Sequence, residues 1–566
     1  MHLPTCRWTL PSTDLSGDLI TRVLAARGLT DELSREAFLH SSLSMLPDPA
    51  LLPGVSQAAT HTLEAVKDGR SIAIYGDYDA DGVTSTAILW HVLRAIDPTV
   101  RIRWYIPHRV DEGYGLNSDA LRKLHEQGTK LVITVDCGVT AIEEVAYAKS
   151  LGMDVIITDH HTPDDHSNLP DATAIVHPAL PGSDYPWPHL SGSAVAWKLA
   201  WQMAKQHAGS DRVGPTLQAV LMDTMCLAGL GVIADVMPLL DENRIITKAS
   251  LGHMHRCRLP GIAALLRSCM KDGEKVDSEA VAFRMAPRLN AAGRLEHARI
   301  ALDLLITHDV PEADRIAAEL TALNTKRQKI VKDIEEEANL MVEESDKTDP
   351  DQRAIVLKGK GWNPGVIGIV CSRLVDRYHR PVVLVCDSGT LKGSARSIDG
   401  FSMYDALAAC NAHFESFGGH AMAAGLMVTD GQFEAFREAF LAYAAAKLKP
   451  EDLIGSVTID AHVQADELTP KTINSLDVMR PFGRGNPGPR VLLKDVEVTK
   501  SNVMGKHSSH LDMRLGSLRC VWWGRGDLEQ HLQRGCRIDV VGRPVVDSWR
   551  GARRVQLVIE DAKLVD

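Results

Sequence analysis

The sequence predicts a multidomain α/β protein: a parallel, doubly wound sheet, a long connecting helix, a second α/β domain and a small C-terminal β-barrel. Three observations predict it. The 566 residues exceed what one hydrophobic core usually sustains. A composition of 45% hydrophobic and 24% charged residues supplies packed cores without disorder or fibrous repeats. Short apolar β-rich runs alternate with helical stretches between residues 72 and 158, whereas the carboxyl-terminal end shows only short strands between glycines and basic turns.

Residues 1–50 mix short helical patterns with Pro4, Pro11, Pro47 and Pro49, and read as a small extension without a legible function. The first full domain spans 51–240, with strands at Ile72–Tyr75, Ile102–Ile106, Leu131–Val135 and Val155–Thr158 and helices at Thr86–Ala95 and Ala141–Ser150. Residues 241–345 are mostly helical, and Ile316, Leu320, Leu323, Ile330, Ile334 and Met341 recur at helical spacing. They form one long connecting helix that carries no chemistry. Acidic EESDKTDPDQ (343–352) marks a linker, and in the second α/β domain, 350–450, strands Ala354–Leu357 and Val382–Cys386 flank helix Val366–Tyr378. The last domain, 455–566, holds short strands at Val491–Leu493, Val496–Val498, Ile538–Val541 and Val555–Ile559, the pattern of an OB-like β-barrel.

The formal net charge of −11 hides a polarised distribution. From Arg480 to Asp566, 16 Lys and Arg stand against 10 Asp and Glu, so this end carries +6 and the remaining chain −17. The basic end is the candidate surface for a polyanion. The ten cysteines are scattered, with no CxxC pair, and read as reduced thiols of a cytoplasmic protein. No basic segment followed by an apolar run opens the chain, and no stretch of about 18 uninterrupted apolar residues occurs, so neither secretion nor a membrane is expected.

Directly after the apolar run IAIY comes GDYDADG, which places Asp77, Asp79 and Asp81 in one turn. Three carboxylates so close repel one another without a cation. An EF-hand loop begins the same way but ends in a bidentate Glu, where this chain has Ile88, and it follows a helix rather than a strand. LVITV then ends in Asp136, and VIIT ends in Asp159, His160 and His161. A lone strand-end Asp is usually a helix cap and a lone His usually a hydrogen-bonded structural residue. Three strand ends converging on one crevice of a parallel sheet are a different matter. Carboxylates with one or two imidazoles suit Mn²⁺ or Mg²⁺, and a pair of such ions about 3.5–4 Å apart suits phosphoryl-ester hydrolysis.

GDYDADG, VDCG and TDHH in this order resemble the DHH phosphoesterase superfamily, named for the triplet Asp159-His160-His161. GLGVIADVMPL with Asp235, APRLNAAGR with Asn290 and Arg294, GWNPGVIGIVCSRL, KGSARSIDG and FGGHAMAAGL narrow the resemblance to its RecJ family over residues 70–430. PFGRGNPGP before the basic segment resembles the start of that family's OB domain. The resemblance implies an exonuclease that degrades single-stranded DNA 5′-to-3′ to mononucleotides in DNA repair and recombination. It implies two divalent cations, Mn²⁺ or Mg²⁺, held by Asp77, Asp79, Asp81, Asp136, His160 and Asp235. Asp136 would bridge them, and His160 and His161 would complete the catalytic set, with His161 facing the scissile phosphate. Asp159, and after it Asp77, is the member expected to orient other ligands from behind. In relatives the domain bearing GSARS and GGH, the DHH-associated domain, faces this centre across a cleft. Ser394, Arg396, Ser397 and His420 there suit a terminal 5′ phosphate, and Arg109, Asn290 and Arg294 would approach the DNA. The implied partners are single-stranded DNA, a single-strand-binding protein and a repair helicase, with the chain a monomer.

Two departures stand out. Asn363 occupies the position where the family pattern WHxG has His, and Ala395 a position where Gly is common. Trp522, Trp523 and Trp549 are candidate base-stacking platforms, with burial in the barrel core the equal alternative. Two rival functions use the same motifs: a compact DHH phosphodiesterase for short or cyclic dinucleotides, or pyrophosphatase, and a catalytically dead DNA-binding scaffold. The long basic end weighs against the first and the complete carboxylate set against the second.

Overall fold

The computed structural model describes residues 6–11, 16–163, 168–349, 351–547 and 554–565. Its first domain is built on five parallel strands, β1 (Ile72–Tyr75), β2 (Ile102–Tyr105), β3 (Leu131–Val135), β4 (Asp154–Thr158) and β5 (Ala174–Val176), in the order β2-β1-β3-β4-β5. Every residue of β1 and β3 is buried, as continuous apolar runs covered on both faces must be. The direction of winding reverses between β1 and β3. That switch point opens a crevice outside their carboxyl ends, where an open α/β sheet binds its ligands.

Three helices wall the crevice: α1 (Ala80–Ile96), α2 (Gly192–Ala208) and α3 (Pro215–Ala234). At 20 residues α3 is long and apolar enough to cross a bilayer, but it is mostly buried against α1, α2 and α4 (Asp241–His253). Short β5 and the amphipathic helix Ser118–Glu126 are additions to the sequence reading. Helix α5 (Ala286–Leu295) follows a π-helical turn and leads toward α6 (Val310–Thr348), the long connector of 39 residues.

The expected linker at 343–352 is corrected, because α6 runs through its first six residues. Asp309 caps its start by accepting from the Glu312 N–H. Ala313, Ile316 and Leu320 belong to the core of the first domain, and Val331, Ile334, Ala338 and Val342 to that of the second. Packing on two cores keeps the acidic end helical where composition alone suggested a loop. The second domain has strands β6 (Ile355–Lys360), β7 (Val382–Asp387), β8 (Leu391–Arg396), β9 (Phe414–Gly419) and β10 (Ala423–Val428), with α7 (Ile367–Tyr378) between β6 and β7. Their order is β9-β10-β8-β7-β6, with only the β6–β7 pair parallel.

The carboxyl-terminal strands β11 (Val491–Met504), β12 (His510–Leu515), β13 (Leu518–Trp522), β14 (Arg537–Asp547) and β15 (Arg554–Leu564) close into a barrel, β11-β12-β13-β15-β14 and back to β11. This is the five-stranded Greek-key arrangement of an OB fold. The two strands expected at 491–498 are one, with a register shift between Leu493 and Val496 and Asp495 at φ 51°. The amino-terminal extension belongs to this barrel. Arg7–Thr9 pairs with Ser456–Thr458, and Leu19, Val23 and Leu24 lie in the barrel core.

Candidate metal centre

The turn after β1 is shaped by contacts that no other residues would permit. A Cβ on Gly76 would lie 2.2 Å from Thr86 Oγ1, and one on Gly82 2.7 Å from Asp77. Asp79 caps α1, accepting from the Asp81 and Gly82 N–H groups at 2.8 and 3.1 Å. Asp81 follows on the first turn and accepts from Gly192 N–H at 2.7 Å and Ser193 N–H at 3.1 Å, the opening residues of α2. Asp136 follows β3 with φ 62°, left-handed backbone that is uncommon outside glycine, though Asp and Asn adopt it more readily than other side chains. Asp159 ends β4, and its oxygens accept from the Val139, His160 and His161 N–H groups and lie 2.8 Å from His161 Nδ1. Asp235 caps the carboxyl end of α3.

These side chains converge. His160 Nε2 lies 3.1 Å from Asp136 Oδ1, 3.6 Å from Asp235 Oδ2 and 4.0 Å from Asp81 Oδ2. Ligand atoms of Asp77, Asp79 and Asp136 also lie within 4.8 Å of one another, as do those of Asp81, His160 and Asp235. Burial, and then the carboxylate of Asp79, push Asp77 up to about 8 and Asp81 up to about 6. Burial, then Asp81, raises Asp235 to about 8 and Asp136 well above the carboxylate range. Burial and the neighbouring His161 push His160 down to about 3, leaving a neutral imidazole with a free lone pair. Burial also opposes charge on Asp159, but the hydrogen bond and charge of His161 hold it below the usual range.

The donor set fits divalent cations. Asp77 Oδ1, Asp136 Oδ1 and His160 Nε2 are buried without a hydrogen-bond partner, although the last two are 3.1 Å apart. Neither meets a hydrogen-bond partner of the protein, and a buried polar atom left so costs about 1–3 kcal/mol. Small residues keep the space: a Cβ on Gly192 would lie 2.4 Å from Asp136 Oδ1, and one on Gly231 2.2 Å from Asp81 Oδ1. One imidazole and five mutually repelling carboxylates, three of them buried, suit Mn²⁺ or Mg²⁺. Asp77 groups with the ligand atoms of Asp79 and Asp136, whereas the oxygens of Asp159 are engaged by protein donors.

The other expected residues divide. Arg109 stacks on the Tyr78 ring, its guanidinium 4.6 Å from the centroid. Burial, then Arg109 and Arg327, lower the Arg294 guanidinium to about 9, and Arg396 is lowered by burial with Arg109 nearby. Such a cluster of like charges, drawn from both α/β domains and the helices between them, favours an anion among them. Ser394 sits two residues before Arg396 on the same face of β8, its hydroxyl 3.3 Å from the guanidinium. His420 is exposed in the β9–β10 turn at the same end of the sheet. Ser397 does not join them, since its hydroxyl, in a residue 4% exposed, donates to the Phe401 carbonyl. Asn290 faces the protein too: its Oδ1 accepts from Ala80 N–H at 2.8 Å and braces the Asp79 turn. Asn363 accepts from Gly365 N–H, and Arg294 donates to the Gly365 carbonyl. Ala395 is fully buried in extended β8, where its methyl group is accommodated.

Of the candidate platforms, Trp522 is buried in the barrel core, Trp523 is 54% exposed and edge-to-face with His510, and Trp549 lies outside the described residues. Sequence reasoning missed Gly192, Ser193 and Gly231, whose contribution is backbone donors and absent volume. The run SGSAV at the start of an apolar helix was the signal for the first two, and Gly231 lies within GLGVIADVMPL, which was read only for its Asp235. It also passed over Tyr114, whose hydroxyl reaches both Asp136 and His161.

Family models match residues 71–229 (DHH family, N-terminal domain), 351–446 (DHHA1 domain) and 459–561 (RecJ OB domain). The chain is 39% identical over 551 residues to the single-stranded-DNA-specific exonuclease RecJ of Bacillus subtilis, covering 96% of this chain and 68% of that one. It is 35% identical to the Escherichia coli protein of the same name, covering 83% and 82%. Among solved structures, RecJ from Thermus thermophilus in complex with Mn²⁺ superposes with a TM-score of 0.83 at 31% identity, over 99% of this chain and 80% of that one. The same protein in complex with Mg²⁺ gives 0.77 at 30% identity, over 99% and 79%.

Proposed function

The chain belongs to the RecJ family of single-stranded-DNA-specific exonucleases, and on that premise we propose that it removes mononucleotides from the 5′ end of a DNA strand by hydrolysis at two divalent cations. Asp77, Asp79, Asp81, Asp136, His160 and Asp235 would hold the cations, Mn²⁺ or Mg²⁺, and Asp136, a member of two of the ligand groups, would serve both. The observation that carries this reading is the convergence of unpartnered Asp136 Oδ1 and His160 Nε2 at 3.1 Å within a cage of raised carboxyl pKa values. Bound there, the cation pair supplies an activated water and charge to stabilise the phosphate oxygens.

The chain's own residues do the rest. Gly192 and Ser193 N–H groups orient Asp81, and Asp159 holds His161 by its Nδ1, leaving Nε2 for the scissile phosphate. Arg396, Ser394 and His420 receive the terminal 5′ phosphate across the cleft and so set polarity, with Arg109 and Arg294 along the backbone. The barrel holds the strand further on, using its basic surface and exposed Trp523. The barrel weighs against a compact dinucleotide phosphodiesterase, and the complete carboxylate cage against an inactive scaffold. Action in DNA repair and recombination as a cytoplasmic monomer, with a single-strand-binding protein and a repair helicase as partners, rests on the family resemblance. Polarity is tested with 5′- and 3′-labelled single strands in Mn²⁺. Early release of the 5′ label as a mononucleotide is expected, and early release of the 3′ label contradicts the reading.

A further inference from the structure

Tyr114 stands where three parts of the centre meet. Its hydroxyl is 3.1 Å from the carbonyl oxygen of Asp136 and 3.0 Å from His161 Nδ1, and the two rings lie 5.3 Å apart. Asp159 Oδ1 is 2.8 Å from the same ring nitrogen. One arrangement of protons satisfies every atom. An ionised carboxylate only accepts, so Nδ1 bears the proton and shares it between Asp159 and the tyrosine oxygen. The hydroxyl is then free to donate its own proton to the Asp136 carbonyl. That carbonyl belongs to the residue at φ 62°, left-handed backbone that its neighbours help to hold.

We propose that Tyr114 is a positioning residue of the nuclease centre. Its hydroxyl joins Asp159 in fixing which nitrogen of His161 faces the scissile phosphate, and it pins the left-handed Asp136 backbone by its carbonyl. The inference rests on the reading of this centre as a nuclease. The loop that carries Tyr114 is anchored without the hydroxyl: Glu112 accepts from His108 N–H and from Tyr105 and Asn117, and Lys392 of the second domain donates to the Val110 carbonyl at 3.1 Å. The residue is also 46% exposed, so removing one oxygen leaves packing unchanged.

Tyr114→Phe therefore separates positioning from folding, and Tyr114→Ala tests the ring. In the full-length protein, kcat on a 5′-phosphorylated single strand is expected to fall about 10–100-fold in Tyr114→Phe, the scale seen when groups behind metal ligands are removed. KM and the melting temperature stay at wild-type values, and Mn²⁺ titration followed by electron paramagnetic resonance shows weakened binding. Tyr114→Ala is expected to be no more active than Tyr114→Phe. Wild-type kcat and Mn²⁺ affinity in Tyr114→Phe would overturn the proposal, as would loss confined to Tyr114→Ala. Inactivity of the wild-type protein on that strand would instead remove the nuclease reading beneath it.

Discussion

Asp136 gathers the features that distinguish a functional carboxylate from a structural one: left-handed backbone, burial, an unpartnered oxygen and repulsion from Asp81, Asp79, Asp235 and Asp77. Without cations this crowd is a liability to the fold. Asp136→Asn keeps the shape and removes a carboxyl that burial and its neighbours disfavour in the charged form, so it is predicted to raise the melting temperature of the metal-free protein at neutral pH while abolishing Mn²⁺-dependent nuclease activity. A lower melting temperature in the presence of a chelator would contradict the electrostatic account. Gly192→Ala tests space instead of charge. Its Cβ, 2.4 Å from Asp136 Oδ1, is predicted to weaken Mn²⁺ binding about 10–100-fold in a protein that still folds, as measured by calorimetric titration and circular dichroism. Asp136 was legible because it ends an apolar strand; Gly192 was not, because a small residue at a helix start is ordinary until its neighbour in space is known.

Strand β8 shows what an element contributes beyond its residues. Alternation along it turns Ser394 and Arg396 to the cleft and buries Ala395 between them, so the KGSARS segment presents hydroxyl and guanidinium in one direction. Arg396→Ala is predicted to raise KM for a 5′-phosphorylated strand about 10-fold or more, the worth of a charge-assisted hydrogen bond. A 5′-hydroxyl strand should be affected far less, and equal losses on the two strands would show that Arg396 does not read the terminus. Strands such as Ile72–Tyr75, Leu131–Val135 and Val382–Asp387 were readable from continuous apolar runs because they are buried, whereas short β5 and the partly exposed β8, β9 and β10 carry no such run and were not read. The ends of α6 were not, because its acidic last turns are held by packing against β6 and α7 that no local pattern announces. Ser397 was misread for a related reason: a hydroxyl in a polar motif looks available until its partner, the Phe401 carbonyl, is seen.

The molecule as a whole is tied together by its amino-terminal extension, which composition left without a role. Arg244 of α4 is 1% exposed and donates to the carbonyls of Phe38, Met479 and Arg480, joining the first domain, the extension and the neck of the barrel. Cutting the chain before the barrel would therefore expose Leu19, Val23 and Leu24 and strand that guanidinium, so truncation confounds DNA affinity with stability. Trp523→Ala is the cleaner probe. It is predicted to weaken binding of a long single strand by about 1–3 kcal/mol while leaving kcat and the melting temperature unchanged, and all binding should fall steeply with salt. Unchanged affinity in Trp523→Ala would remove the barrel's exposed platform from the DNA path. The central claim, that side chains from separate strand ends surround a cation pair, is tested most directly by anomalous diffraction from crystals containing Mn²⁺. Two peaks about 3.5–4 Å apart, within coordination distance of Asp136 and its neighbours, are the predicted result. Crystals with no ordered manganese in this cage, or with manganese only elsewhere, would contradict it.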